Sequence, residues 1–259
     1  KIFPSVFCIF RHIDHIVPVT NVISLVIESS PSNLKLDWSY SNNDDKNMIF
    51  NLCQSLYNIS NIIPCGLICF FPSYNMLNNF ICVLKELPIF SKINSKKKII
   101  VEEKTLNSQS ILDDYSKQIK LKNGAILLAV MGGKLSEGID FSDDLCRCVI
   151  IMGMPYGNIN DFELKLKMDY IKHRYGDKAA NEYYQNMCMS SVNQSIGRAI
   201  RHRCDYASIL LLDSRYSRPY IRQKFSKWIE SSMEICQNFG RVIPLLKKFF
   251  NRHSSYNQP

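Results

Sequence analysis

SSVNQSIGRAIRHRCDYASILLLDSRY, residues 190–216, predicts an α-helix that leads into a buried β-strand. At about 100° per residue, the aliphatic side chains of the first half fall on one side of this helix. Gln194, Arg198 and Arg201 fall on the other side. A glycine costs a helix roughly 1 kcal/mol relative to alanine, so Gly197 predicts the close approach of another group to the polar side. The apolar run that follows, ASILLL, is typical of a parallel strand covered on both faces.

The two arginines and the glutamine of this stretch have the chemistry of an anion site. Guanidinium groups are permanently charged and donate two parallel hydrogen bonds, and they stabilise charge that develops on a transferring phosphoryl group. The same residues also fit an ordinary basic helix face exposed to water. The stretch alone leaves both interpretations open.

Strands and helices alternate along the rest of the chain, which predicts an α/β fold with a mostly parallel sheet and helices on both faces. The predicted strands are 22–27, 33–40, 67–71, 96–101, 125–130, 148–152 and 207–212. The predicted helices cover about 46–59, 74–87, 108–121, 161–175 and 181–201, with a further helical region after 217. We expect a single domain over residues 1–259, with a flexible polar tail over 251–259.

The composition is that of a soluble globular protein with an anionic partner. Hydrophobic residues make up 46% of the 259 positions and charged residues 21%, as in ordinary globular domains. The formal net charge of +9 favours nucleic acid as that partner, and no apolar run is long enough to predict a membrane span. The chain opens on Lys1 rather than Met, and we expect it to be part of a longer protein.

The cysteines favour a reducing, intracellular compartment. Ten cysteines are scattered without a C-x-x-C pair, so the sequence contains neither a zinc ribbon nor an iron–sulfur cradle. Cys8, His12 and His15 have ligand-like spacing. They lack a fourth partner, so we predict no metal site in this chain.

Two polar loops follow predicted strands, at the edge of the sheet where ligands of α/β proteins usually bind. GLICFFPSY, residues 66–74, ends in Ser73 and Tyr74, which offer a hydroxyl and backbone N–H groups to a phosphate. An ordinary strand–turn–helix, with the tyrosine serving only in packing, is the alternative. MGGKLSEGIDF, residues 131–141, has three glycines that allow a ligand close to the backbone. It adds the polar groups of Ser136, Glu137 and Asp140.

The glycine-rich loop is not a P-loop. The pattern G-x-x-x-x-G-K-[ST], aligned on Gly133-Lys134, requires a first glycine where Leu128 stands and a hydroxyl residue where Leu135 stands. The dinucleotide pattern G-x-G-x-x-G after a strand is also absent from the chain. The sequence therefore excludes both of these phosphate cradles.

Three of these segments together resemble the XPD-like iron–sulfur DNA helicases of superfamily 2. GLICFFPSY resembles their motif IV (G-x-x-x-F-F-x-S-Y), GKLSEGIDF their motif V (G-x-x-S-E-G-I-D-F) and QSIGRAIRHRCDY their motif VI (Q-x-x-G-R-x-x-R followed by D-Y). The Gly132-Gly133-Lys134 variant and the stretch 10–40 are most similar to the chromosome-cohesion, or chromosome-loss, branch. The resemblance implies a second RecA-like motor domain.

The resemblance also implies roles for individual residues. ATP with Mg²⁺ would bind between this domain and a first motor domain of the same protein. Arg198 and Arg201 would act as arginine fingers positioned by Gln194, and the nucleotide would contact a second group, Glu137, Gly138, Asp140 and Gly197. Single-stranded or forked DNA would be held by Ser73, Tyr74, Lys134 and Ser136.

Several expectations reach beyond this chain. In the family, the P-loop, the D-E-A-H box and the iron–sulfur cysteines belong to the first motor domain and its insertions, so we expect the cluster in the full-length protein and not here. The resemblance implies 5′→3′ unwinding, a nuclear location and duties in DNA repair or sister chromatid cohesion. A RecA-like module that only binds DNA or docks proteins, without catalysis, is the alternative function.

Overall fold

A seven-stranded parallel sheet forms the centre of the molecule in the computed structural model, which describes residues 17–39, 45–103, 108–121, 124–135 and 141–256. The strand order is β3-β4-β2-β5-β6-β1-β7. The strands are β1 Val22–Ile27, β2 Gly66–Phe71, β3 Lys98–Val101, β4 Ala125–Val130, β5 Cys148–Met152, β6 Ala207–Leu212 and β7 Met233–Cys236. All neighbouring pairs run parallel, which confirms the predicted α/β class and its mostly parallel sheet.

Helices cover both faces of the sheet, as predicted. They are α1 Lys46–Ser60, α2 Tyr74–Glu86, α3 Pro88–Lys96, α4 Ser108–Leu121, α5 Phe162–Tyr175, α6 Asp177–Ile196, α7 Pro219–Arg222, α8 Lys227–Ser231 and α9 Val242–Tyr256. Helices α1, α2, α3 and α9 share one apolar core with the sheet, and α4, α6, α7 and α8 share the other. The central strands β2, β4, β5 and β6 are buried along their whole length, because both of their faces are covered.

The alternating segment 33–40 does not form the predicted strand. It is joined to the chain before it by one antiparallel bridge between Ser29 and Lys35. A tight turn explains this, because the N–H of Asn33 donates to the carbonyl of Ser30 at 2.9 Å and Asn33 has a positive φ of 67°. Leu36 is nevertheless buried, so the alternation marked burial rather than a strand. Tyr40 lies outside the described residues.

Helix α6 ends at Ile196, five residues before the predicted end at Arg201. Gly197 is its C-cap, and the N–H of Gly197 donates to the carbonyl of Asn193. The arginines therefore lie on the turn after the helix and not on a helical face. A Cβ at position 197 would lie 3.2 Å from the carbonyl oxygen of Asn193 and 3.7 Å from that of Gln194, so a side chain there would crowd the last turn of the helix.

The last helix continues past the point where the sequence predicts a flexible tail. Helix α9 runs to Tyr256, and the buried ring of His253 stacks on Tyr206 at 4.3 Å between centroids. This stacking explains why the chain does not fray at Asn251. Residues 257–259 lie outside the described residues.

Candidate nucleotide and nucleic-acid sites

Parallel strands end at a common edge, and here that edge carries the predicted nucleic-acid residues. Strand β2 leads directly to Ser73 and Tyr74, and the neighbouring β4 leads to the glycine-rich segment 131–135. We call this the carboxyl edge. Of the predicted DNA-binding set, Ser73, Tyr74 and Lys134 lie there, while Ser136 lies outside the described residues.

Ser73 is the N-cap of α2. Its Oγ accepts the backbone N–H of Met76 at 3.2 Å, which satisfies one of the helix's unpaired donors. A hydroxyl accepts and donates at the same time, so Ser73 can cap the helix and still donate its proton to a phosphate. The side chain is exposed at the sheet edge.

Tyr74 makes a different contact from the one predicted. Its hydroxyl donates to Oε1 of Glu102 at 3.1 Å. Burial and the adjacent Glu102 carboxylate raise the pKa of Tyr74 to about 12. In this conformation the hydroxyl proton is bound to Glu102, so the ring and the backbone of the half-buried Tyr74 remain for contacts with a nucleic-acid strand.

Glu102 organises the carboxyl edge, and sequence reasoning missed it. This buried residue follows β3, and its carboxylate accepts the N–H groups of Val130 at 2.8 Å and of Leu135 at 3.2 Å. Together with Tyr74, these contacts join β3, the end of β4 and the start of α2. One acidic residue after a short strand gave no signal of this role in the sequence.

The first two glycines of the glycine-rich loop, Gly132 and Gly133, are explained by different features of the structure. A Cβ on Gly133 would lie 2.8 Å from Oε1 and 3.0 Å from Oε2 of Glu102, so the carboxylate requires a glycine there. Gly132 has a φ of +71° with open space around it. The exposed Lys134 follows. The predicted nucleotide contacts Glu137, Gly138 and Asp140 lie outside the described residues.

The predicted arginine fingers lie at the opposite, amino edge of the sheet. Gln194 is exposed in the last turn of α6, Arg198 is half-buried and Arg201 is exposed. The turn that carries both arginines leads into the amino end of β6. The structure therefore brings Gln194, Gly197, Arg198 and Arg201 close together in the chain but separates them from Ser73 and Lys134.

A buried ion pair fixes this turn to the sheet. Arg147, directly before β5, donates through Nη1 to Oδ1 of Asp205 at 2.8 Å, and both side chains are buried. Asp205 also accepts the N–H of Tyr206 at 2.9 Å and that of Arg201 at 3.4 Å. Its own N–H donates to the carbonyl of His202 at 3.0 Å. These contacts close a loop over residues 201–206.

Aromatic rings extend the same cluster to the last helix. The guanidinium of Arg147 lies 4.0 Å from the centre of the Tyr206 ring, a cation–π distance. The other stacking partner of Tyr206 is His253 in α9. Burial lowers the pKa of His253, which favours the neutral ring in the stack. Sequence reasoning missed Arg147, whose only signal was a charge beside an apolar strand.

The described residues do not form a metal-binding cradle. Asp143, His202 and Asp205 are the one described group close enough to share an ion. His202 already bonds Asp143 at 2.9 Å and Arg147 already neutralises Asp205. The described cysteines are unpaired thiols, and no three of them lie close enough together to share a metal ion. Cys8, His12 and His15 lie outside the described residues.

The segment between β4 and β5 joins the two edges. It starts at Met131 on the carboxyl edge and reaches Arg147 on the amino edge. Phe141 lies between them, buried in the core that also holds Ile196 of α6. Residues 136–140 of this segment are not described. Motifs IV and VI therefore lie at opposite edges, and motif V begins at the carboxyl edge beside motif IV.

Known proteins match this chain over most of its length. The family model of the helicase C-terminal domain matches residues 56–232. The ATP-dependent DNA helicase chl1 of Schizosaccharomyces pombe is 38% identical over 245 residues, covering 92% of this chain and 29% of the relative. The ATP-dependent DNA helicase DDX11 of Danio rerio is 40% identical over 248 residues, covering 91% and 28%. The chain thus spans less than a third of the length of these two relatives.

Solved structures share the fold. The S. tokodaii Xpd4 structure has a TM-score of 0.58 at 18% identity, covering 83% of this chain and 38% of that one. A structure named XPD helicase has a TM-score of 0.63 at 21% identity, covering 83% and 36%. Within the described residues, no helix combines the length and apolar character that a membrane crossing requires. The chain belongs to the helicase C-terminal domain family.

Proposed function

We propose that this chain is the C-terminal motor half of an ATP-dependent DNA helicase that moves 5′→3′. A first motor domain of the same longer protein would supply the P-loop, the Mg²⁺ site and the acid that activates water. This chain would place positive charge beside the γ-phosphate, and it would bind single-stranded DNA. The relatives named as ATP-dependent DNA helicases support the proposal.

The separation of the two edges is the observation that carries the proposal. A motor must let nucleotide chemistry change its grip on a strand, so the two sites need to be distinct and mechanically linked. Here the amino edge carries Arg198 and Arg201, and the carboxyl edge carries Ser73 and Lys134. The chain runs from one edge to the other between Met131 and Arg147, and we propose that this segment couples the two sites.

At the amino edge, Arg198 and Arg201 would neutralise the charge that develops on the transferred phosphoryl group. Such a finger typically contributes about 10³–10⁵ in rate. Gln194 would position the arginines, and the absence of a side chain at Gly197 would let the nucleotide approach the backbone. Glu137, Gly138 and Asp140 would report the state of the nucleotide to the DNA side.

At the carboxyl edge, the grip on DNA would come from the N-terminus of α2 and from the glycine-rich segment. Ser73, Lys134 and Ser136 would contact phosphates, and Tyr74 would offer its ring. Phosphate contacts of this kind bind single strands with little sequence preference and weaken as salt rises. We place the working protein in the nucleus, with an iron–sulfur cluster carried outside this chain.

Binding of a fluorescein-labelled oligothymidylate to the chain, measured by anisotropy over a salt series, tests the DNA side. We expect Lys134→Ala to lower the affinity and to reduce the slope of log K against log salt by about 0.7, the value for one lost phosphate contact. Lys120→Ala is the matched control, because Lys120 is an exposed lysine in the last turn of α4. Equal slopes for Lys134→Ala and the wild type would show that Lys134 does not contact a DNA phosphate.

A further inference from the structure

Helix α5 is poorly covered for an element of its length. It has 14 residues, yet Leu164 is its one buried side chain. It packs against α6, and the hydroxyl of Tyr184 in α6 donates to the carbonyl of Gly157 just before α5. Helices this short are marginal in water by themselves and depend on tertiary packing. The described residues nevertheless leave one face of α5 uncovered.

The uncovered face is apolar. Phe162, Leu166 and Tyr170 are spaced four residues apart, and side chains at this spacing lie along one side of a helix. They are 76%, 54% and 58% exposed, and Ile159 in the preceding turn is 64% exposed. We call these four residues the α5 stripe. Single exposed apolar residues are ordinary, but a contiguous row marks an interaction site.

Cations border the α5 stripe on both sides. Lys165 and Lys172 lie seven residues apart along one border, and Lys167 and Arg174 lie seven apart along the other. Two acids on the same helix offset part of this charge, so α5 carries four cations against two acids, Glu163 and Asp169. Lys167 bonds Glu163 at 2.5 Å and Lys172 bonds Asp177 of α6 at 2.8 Å. The positive balance therefore rests on Lys165 and Arg174, one on each border.

We propose that the α5 stripe is a docking surface for an amphipathic protein helix whose apolar side is bordered by acidic residues. The spacing of four matches the ridges by which two helices interlock, and the basic borders complement acidic ones. The α5 stripe follows the carboxyl end of β5, but it includes none of the residues proposed to contact nucleotide or DNA. A docking role goes beyond the helicase activity, so its failure can be told apart from a failure of the proposed motor function.

The composition of the stripe favours protein over single-stranded DNA. Strand binding uses a basic groove with aromatic rings that stack on bases. Here two of the four side chains, Ile159 and Leu166, are aliphatic and have no face for stacking. The stripe is also the outer ridge of a helical hairpin rather than a groove, and it has acidic groups beside its cations.

Site-specific photocrosslinking of the full-length protein in cells tests the proposal. A benzophenone amino acid replaces Phe162 or Leu166 in separate proteins, and the crosslinked partner segment is sequenced by mass spectrometry. Leu121 in α4 provides the control position, because it is equally apolar and 66% exposed but stands outside any such row. The sequenced segment is then synthesised, and its binding to the 259-residue chain is measured by anisotropy against Leu166→Glu.

We expect crosslinks at 162 and 166, but not at 121, to a segment with apolar residues at helical spacing and acidic borders. Its peptide should bind the wild-type chain at least tenfold more tightly than Leu166→Glu. Each of four results would overturn the proposal. These are crosslinks to DNA, equal crosslinking yields at all three positions, no crosslink at all, and a peptide that binds Leu166→Glu as tightly as the wild type.

Discussion

Arg147 and Asp205 form a buried ion pair, with Nη1 of the arginine 2.8 Å from Oδ1 of the aspartate. The pair joins the start of β5 to the loop that carries the second predicted arginine finger, because Asp205 also accepts the N–H of Arg201. The position of Arg201 at the amino edge thus depends on a residue 54 positions earlier in the chain. Several consequences can be measured on the 259-residue chain itself.

Arg147→Ala should destabilise the chain by about 3–5 kcal/mol, because it leaves the Asp205 charge buried without its partner. Urea unfolding followed by circular dichroism measures the loss. Arg147→Leu combined with Asp205→Leu should cost less than Arg147→Ala alone, since it removes both charges. Lys167→Ala breaks an exposed pair and should leave the midpoint unchanged. If Arg147→Ala behaves like Lys167→Ala, the pair does not fix this loop.

Glu102→Ala should loosen the end of β4 selectively. It removes the acceptor of the N–H groups of Val130 and Leu135, and an unsatisfied buried donor costs about 1–3 kcal/mol. Hydrogen exchange should show faster exchange at these two amides. Glu103→Ala, at the exposed neighbouring position, should leave them protected. Unchanged protection in Glu102→Ala would show that the carboxylate does not hold the glycine-rich segment.

Ser73→Ala and Asp45→Ala separate helix capping from DNA binding. Ser73 caps α2 and Asp45 caps α1, so each substitution should cost about 1 kcal/mol in unfolding free energy. Only Ser73→Ala should also weaken binding to labelled oligothymidylate, because Ser73 and not Asp45 belongs to the proposed DNA-binding set. Equal oligothymidylate affinities of the two variants would show that Ser73 caps α2 and does not contact DNA.

Buried thiols should make the chain less stable in alkali. Burial raises the pKa of Cys53 to about 12 and that of Cys148 to about 12. A thiol whose pKa is raised by folding stabilises the protein fully below its unfolded pKa, near 8.5. This contribution is lost as pH rises towards 12, since the unfolded state then releases protons that the folded state retains.

Urea unfolding at several pH values between 8 and 10.5 measures this effect. We expect the unfolding free energy to fall with pH, and the fall to be smaller in Cys53→Ala. The exposed Cys82 provides the control, because its thiol is in water in both states and Cys82→Ala should keep the wild-type slope. A Cys53→Ala slope equal to that of the wild type would contradict the assignment.

The helices and strands that could be predicted from the sequence are those whose apolar residues are continuous or strictly periodic. Strands β2, β4, β5 and β6 are unbroken apolar runs, and Asp45 is recognisable as an N-cap before a helical stripe. The short strand β7, Met233–Cys236, was missed because only its last residue is buried. This strand forms because β1 offers it a free edge to pair with, and its own four residues show no strand pattern.

The candidate sites were harder to predict, because burial and hydrogen bonding do not follow from spacing. Ala199 and Ile200 are buried although α6 has already ended, so the apolar pattern continued past the helix and misplaced the arginines on a helical face. Glu102 and Arg147 act through residues far away in the sequence. Motifs identified Ser73, Lys134 and Arg198, but only the sheet topology assigns them to two separate edges.

The central claim concerns Arg198, which we propose acts on ATP held by another domain. DNA-stimulated ATP hydrolysis by the purified full-length helicase that contains this chain tests it most directly. Arg203→Ala is the matched control, because Arg203 is exposed in the same turn. We predict that Arg198→Ala lowers the turnover rate by about 10³-fold or more, with ATP affinity retained and Arg203→Ala near wild type. Turnover in Arg198→Ala close to that of the wild type would contradict the account and favour a non-catalytic module.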